Sequence, residues 1–202
     1  KLETVIGFRR YKIMKIFLTF ITFTIAFLLH KYLLYPIEIY IFSAGNEIVE
    51  HASLLYLPHA IRIIAYYIIG PIALVPIFLS QCFTNLLFND ASLTQAVNLS
   101  FISTFAIFLG FYLYGLIKQG NLFNINATVD WKKIIIVGFL VSIFNSTLSS
   151  LYINFLEQSS SDFHMSLKFK YLTGDILGLV LGMFMFMVLL QIFKHWIRNV
   201  RN

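Results

Sequence analysis

Apolar residues run through this chain in long blocks separated by short polar joints, most of them basic. Blocks at 13–34, 95–117, 134–156 and 171–193 each exceed the roughly 20 residues that carry a helix across about 30 Å of hydrocarbon. Each predicts a membrane-spanning helix. The block at 60–88 is of another kind, too long for one upright span and short for two, and it is opened by Pro58 and interrupted by Gly70, Pro71 and Pro76. Proline removes a backbone donor and clashes with the preceding turn. Backbone groups freed in this way survive at membrane depth only where protein or a polar cavity satisfies them. A proline-broken or re-entrant helical hairpin is therefore predicted there, packed inside a bundle, with His59 and Arg62 at its mouth.

Between the first block and this hairpin, Pro36 is expected to end a helix, and 37–57 mixes Glu38, Glu47, Glu50 and His51 with apolar residues. A carboxylate at mid-bilayer costs about 2.5 kcal/mol or more. The stretch predicts an interfacial helix or a span with a wet inner face, and Glu47 and Glu50 read either as a solvated loop face or as the cap of a pocket. The polar run 157–170 predicts a loop.

Composition fixes the class. With 59% hydrophobic and 12% charged residues, and a mean hydropathy of +0.81, the chain falls far below the charged quarter of a soluble domain. It reads as an all-α, polytopic integral membrane bundle, a single domain over 1–202 with about six embedded segments. The formal charge of +6 would suit nucleic acid, but the Lys and Arg residues sit at the ends of apolar blocks, where they set orientation. That pattern excludes a nucleic-acid partner, makes membrane lipid the surrounding medium, and places both termini in the cytoplasm of a multi-pass protein. The lone Cys82 has no partner for an intrachain disulfide.

Polar residues inside the spans are the candidates for function, since their insertion must be offset by partners. Ser142, Asn145, Ser146 and Ser149 fall at spacings of three and four, so they share one helix face that must look inward. They serve either as interhelical glue or as a ligand lining. Gly174, Gly178 and Gly182 recur every fourth residue and strip one face of the last helix, so that another backbone can approach it closely, in this chain or in a partner. Asp175 stands beside that face, either as a helix-start cap at a wet interface or, by the expected topology, on the same outer side as His59 and Arg62. Asp175, His59 and Arg62, capped by Glu47 and Glu50, form the candidate ligand pocket. No catalytic motif, metal-ligand spacing or cofactor loop is present in the sequence, so a non-enzymatic role without cofactor or metal is expected.

Two stretches carry a resemblance. Leu57-Pro58-His59, the apolar run Ala60 to Gly70, and Pro76-Ile77-Phe78-Leu79 resemble the early signature of the bacterial membrane-associated sensor domain of the first type. Tyr171-Leu172-Thr173-Gly174-Asp175-Ile176-Leu177-Gly178 is similar to that family's late signature, and the likeness covers roughly 11–193. It implies a multi-span sensory module of the bacterial inner membrane, found in that family ahead of histidine-kinase or diguanylate-cyclase output domains. Three departures stand against it: no output domain lies within these residues, the embedded segments are fewer, and His59 stands where the family more often has a small residue. A signalling role is then expected to act through another membrane protein. Two other classes remain open, an accessory subunit of a larger membrane complex docking through the glycine face, and a small-solute transporter, for which broken helices are a known device.

Overall fold

The computed structural model describes residues 2–42, 53–89, 91–118, 130–157 and 161–201, which are helical apart from short joints and the stretch 53–57. Helix α1 (Leu2–Leu29) passes through a π turn, His30–Leu34, into α2 (Tyr35–Phe42). Then come α3 (Pro58–Ile69), a 3₁₀ turn at Pro71–Ala73, α4 (Leu74–Phe88), α5 (Leu93–Lys118), α6 (Trp131–Glu157) and α7 (Ser161–Arg201). Among the described residues, five helical runs are long and apolar enough to cross a membrane: Ile13–Ile41, Pro71–Phe88, Leu93–Ile117, Trp131–Leu156 and Met165–Ile192. The chain is a polytopic helical bundle.

Pairwise contacts give the direction of every element. Phe20 meets Phe83 and Phe27 meets Phe88, so α1 and α4 run the same way. Ser103 meets Asn145 and Asn98 meets Tyr152, which makes α5 and α6 antiparallel. Gly138 lies on Leu179 and Asn145 on Asp175, so α7 runs back against α6. The apolar core lies where α3, α5, α6 and α7 meet, around Ile63, Ile107, Val137 and Leu179. Outside, Phe101, Phe105, Phe108 and Tyr112 stack in a ladder along α5 and stay exposed, as suits a lipid-facing surface.

The predicted break is present. Gly70 closes α3 at φ 80° and ψ −162°, a conformation that costs glycine little because it has no Cβ, and Pro71 then opens the turn into α4. The turn lies at the end of the bundle where the Tyr67 hydroxyl accepts the Asp130 amide at 3.2 Å, beside the start of α6. Both limbs of the hairpin therefore traverse the bundle.

The limb that leads into the hairpin is half helix and half irregular chain. Ser53, Tyr56 and Ala60 lie against Gly174, Gly178 and Gly182 in turn, so 53–60 follows α7 over about 12 Å of its axis at 1.5 Å per helical residue. The remaining residues of α3 add roughly 14 Å. Together they extend for roughly 26 Å alongside the long helices. The irregular half keeps its backbone satisfied: the Tyr56 amide donates to the Gly174 carbonyl at 2.9 Å, the Leu54 amide to Glu38, and the Leu55 amide to Ser53 Oγ.

Three expectations are corrected. Pro36 does not end the first helix. The Tyr35 amide closes on the His30 carbonyl five residues back, and this widened turn moves the preceding carbonyls away from the proline ring that would otherwise strike them. The stretch 37–57 is accordingly no separate span among the described residues, since 37–42 continue α2 and 53–57 are non-helical. The polar run 157–170 is not a loop throughout, because α7 already begins at Ser161 and Leu167 is buried against the bundle. Glu47 and Glu50 lie outside the described residues.

Candidate functional site

The first turn of α3, the middle of α6 and the first third of α7 deliver His59, Arg62, Asn145 and Asp175 to one point. His59, Arg62 and Asp175 are at most 1% exposed. Geometry assigns the imidazole. Ser142 Oγ donates its one hydrogen to the Gly138 carbonyl at 2.8 Å, so at 3.1 Å it accepts from His59 Nε2. The His59 Nδ1 lone pair is then free to accept from Arg62 Nη2 at 2.8 Å.

Asp175 Oδ1 stands 3.3 Å from that Nδ1 and 3.5 Å from Arg62 Nη2. Two acceptors thus face each other with one guanidinium nitrogen between them. Asp175 Oδ2 is held more firmly, by Asn145 Nδ2 at 2.7 Å. The chain of contacts continues outward through Ser103, which donates to Asn145 Oδ1 at 3.0 Å, and Gln81, whose Nε2 donates to Ser103 Oγ at 3.0 Å. Arg62 also lies over the Tyr56 ring, 5.4 Å from its centroid, a placement that stabilises a desolvated cation.

An Arg and an Asp taken this far from water are costly to each other unless the geometry is good and every remaining proton and lone pair is used. Here it is only partly so. Arg62 Nε and Gln81 Oε1 are buried and find no partner among the described residues.

Arg62, Asp175, Asn145, Ser103 and Gln81 form the floor of a cavity of about 610 Å³ that runs between all the helices to the end of the bundle where α4 turns into α5. Its upper wall carries Lys31 and the aromatic residues Phe27 and Phe88. Such a space suits a small ligand oriented by a few convergent polar groups.

The residues singled out in the sequence divide as follows. His59, Arg62 and Asp175 are brought together. Of the polar face of α6, all four residues are buried, but they do different things: Ser142 orients His59, Asn145 holds Asp175, Ser149 lines the cavity, and Ser146 bonds back to the Ile143 carbonyl. Gly174, Gly178 and Gly182 admit residues 53–60 of the same chain. The glycine face is therefore occupied from within and offers no surface for a partner. Pro58 starts α3, and Pro76 lies buried in the first turns of α4.

Gln81 and Asn85 also line the cavity, and sequence reasoning passed them over. A signal was there, since Gln81, Thr84 and Asn85 sit at spacings of three and four within an apolar run, the same pattern that marked α6. Tyr56 and His30, whose rings meet edge to face at 5.2 Å, had no such signal. Among the described residues, no three His, Cys, Asp or Glu side chains are grouped so as to hold a metal ion. No family model matches this chain, and neither a curated protein nor a solved structure matches it.

Proposed function

We propose that this chain is a non-enzymatic sensory binding protein of a bacterial inner membrane, which takes a small ligand into the cavity above Asp175 and passes its occupancy to a partner. The observation that carries this reading is the floor of the cavity, where α3, α6 and α7 each contribute a polar group to one buried cluster. A ligand that touches the floor must disturb contacts that set how these three helices pack.

Helix α7 is the natural output. It carries Asp175 and extends as one helix to Arg201, nine residues beyond its apolar window at Ile192. A shift at the floor is thereby carried rigidly along the helix axis. Charge supports the orientation: the basic residues about Arg9, Lys132 and Arg198 lie at the end of the bundle opposite the cavity mouth, so the positive-inside rule puts the mouth on the outer side and both termini in the cytoplasm.

The test is thermal stability of the purified chain in nanodiscs across a panel of small metabolites. At least one class of compound should raise the melting temperature, and Arg62→Ala should abolish the effect. A panel without any stabilising compound would sink the reading.

A second reading, transport of a small solute, is favoured by one observation: a discontinuous segment, irregular over 53–57 and broken at Gly70, packs among the long apolar helices beside the cavity, and broken helices are a device of many transporters. Uptake of the stabilising compound into liposomes holding this chain alone would replace sensing by transport.

A further inference from the structure

Two of the buried groups on the cavity floor are left with unused hydrogen-bonding capacity, and their chemistry is complementary to one kind of ligand. Arg62 gives Nη2 to His59 and only a long contact, 3.5 Å, to Asp175. Its Nε has no partner among the described residues. Guanidinium groups meet carboxylates through two parallel N–H bonds, and Asp175 does not supply that fork: its contact with Arg62 is the long one from Oδ1 to Nη2, while its Oδ2 lies against Asn145. Gln81 gives its amide nitrogen to Ser103 and leaves Oε1 without a donor. An unmade hydrogen bond at a buried polar atom carries the desolvation penalty of that atom and calls for an explanation.

Charge points the same way. Lys31 and Arg62 line the cavity against one carboxylate among the described lining residues, that of Asp175. Phe27, Phe88 and Leu99 give the cavity wall an apolar part.

Resting on the binding reading above, we infer that the ligand is a small organic acid with an apolar body, whose carboxylate is taken by Arg62 and whose neighbouring N–H or O–H group is accepted by Gln81. The guanidinium, buried as it stands, turns toward the acid and makes with it the hydrogen bonds that Asp175 leaves unmade. Its body lies along Phe27 and Phe88, and Lys31 adds a second positive charge that favours an anion over a neutral or cationic solute. Entry of the acid draws Arg62 away from Asp175, which couples ligand binding to α7.

The experiment uses the full chain in nanodiscs and three probes that share a phenylethyl body: N-acetylphenylalanine, its primary amide, which has the same shape, and the smaller cation 2-phenylethylamine. Charge-assisted hydrogen bonds are about twice as strong as neutral ones, so the acid should bind at least about tenfold more tightly than the amide, and the amine should not bind. Arg62→Met should abolish binding of the acid. Because that variant strips Asp175 of its cation, Gln81→Leu and Lys31→Gln are measured beside it; each should weaken the acid several-fold, and Lys31→Gln, at a half-buried side chain outside the floor, should leave the melting temperature of the chain without ligand unchanged.

An amide that binds as tightly as the acid would overturn the inference and leave the cavity a binding site. Unchanged affinity for the acid in both Gln81→Leu and Lys31→Gln would overturn it too, by placing the acid elsewhere. If none of the three probes binds while other metabolites stabilise the chain, the acid assignment falls and the binding reading stands.

Discussion

The amide of Tyr56 donates to the carbonyl of Gly174 across 2.9 Å, joining an irregular piece of backbone to the glycine face of the last helix. A backbone outside a regular helix needs partners for its amides and carbonyls wherever it is buried. The stripped face of α7 lets the two chains come close enough. This relationship holds α3 at the depth where His59 and Arg62 reach Asp175, and it accounts for glycine at 174 and 178 without any partner.

A methyl group at either position should therefore be harmful. A Cβ on Gly174 would run into the Ser53 carbonyl oxygen, and one on Gly178 into that of Tyr56. Both obstacles are backbone and cannot swing aside. A Cβ on Gly138 would meet the end of the Leu179 side chain instead, which can turn. Gly174→Ala and Gly178→Ala should each cost about 1–3 kcal/mol or more and Gly138→Ala clearly less, read as melting temperatures in one detergent. Equal losses at all three positions would contradict the account.

The Arg62 and Asp175 charges should be worth more together than apart. Arg62→Met leaves a buried carboxylate and Asp175→Asn a buried guanidinium, and breaking a buried pair from one side costs about 3–5 kcal/mol. Removing both charges leaves neither stranded. The double variant should thus be more stable than the sum of the single effects predicts, by about 0.5–3 kcal/mol in a double-mutant cycle. A cycle that closes at zero would mean that the two side chains do not share an interaction.

Asn145 bridges Ser103 to Asp175, so it should be far more sensitive than its neighbours on α6. Asn145→Leu strands Asp175 Oδ2 and should cost about 1–3 kcal/mol. Ser146→Ala removes only a bond back to its own helix and should be nearly silent. Thermal unfolding of the two variants side by side checks the ranking.

Glu38 fixes the upper part of the irregular segment, accepting the Ser53 hydroxyl at 2.6 Å and the Leu54 amide. Glu38→Ala removes both acceptors. Hydrogen exchange at Leu54 and Leu55 should then speed up, while the middle of α5, away from this contact, keeps its protection. Unchanged exchange at 54 and 55 would show that α7 alone holds the segment in place.

The long apolar blocks, the break at Gly70 and Pro71 and the inward face of α6 could all be read from the chain, because each depends on residues close together in sequence. Length sets a span, proline and glycine set a break, and a spacing of three and four sets a face. What surrounds Pro36 could not be read that way, since a one-residue change of hydrogen-bond register at His30–Leu34 leaves no mark that separates a tolerated proline from a terminating one. The start of α7 at Ser161 was hidden for a related reason: residues outside the apolar window have no hydropathy signal, though the helix continues through them.

Sequence by itself determined that this is a helical membrane protein and which polar side chains had to be sheltered from lipid. Only the tertiary structure decided what shelters them: that the glycine stripe is filled by residues 53–60, that Asn145 and Arg62 converge on Asp175, and that Gln81 joins the same floor. The physical reason is distance along the chain. These contacts link residues far apart in the chain, more than a hundred positions for Arg62 and Asp175, and no local pattern of hydrophobic and polar positions encodes a pairing between segments that are each free to bury their polar face in several ways.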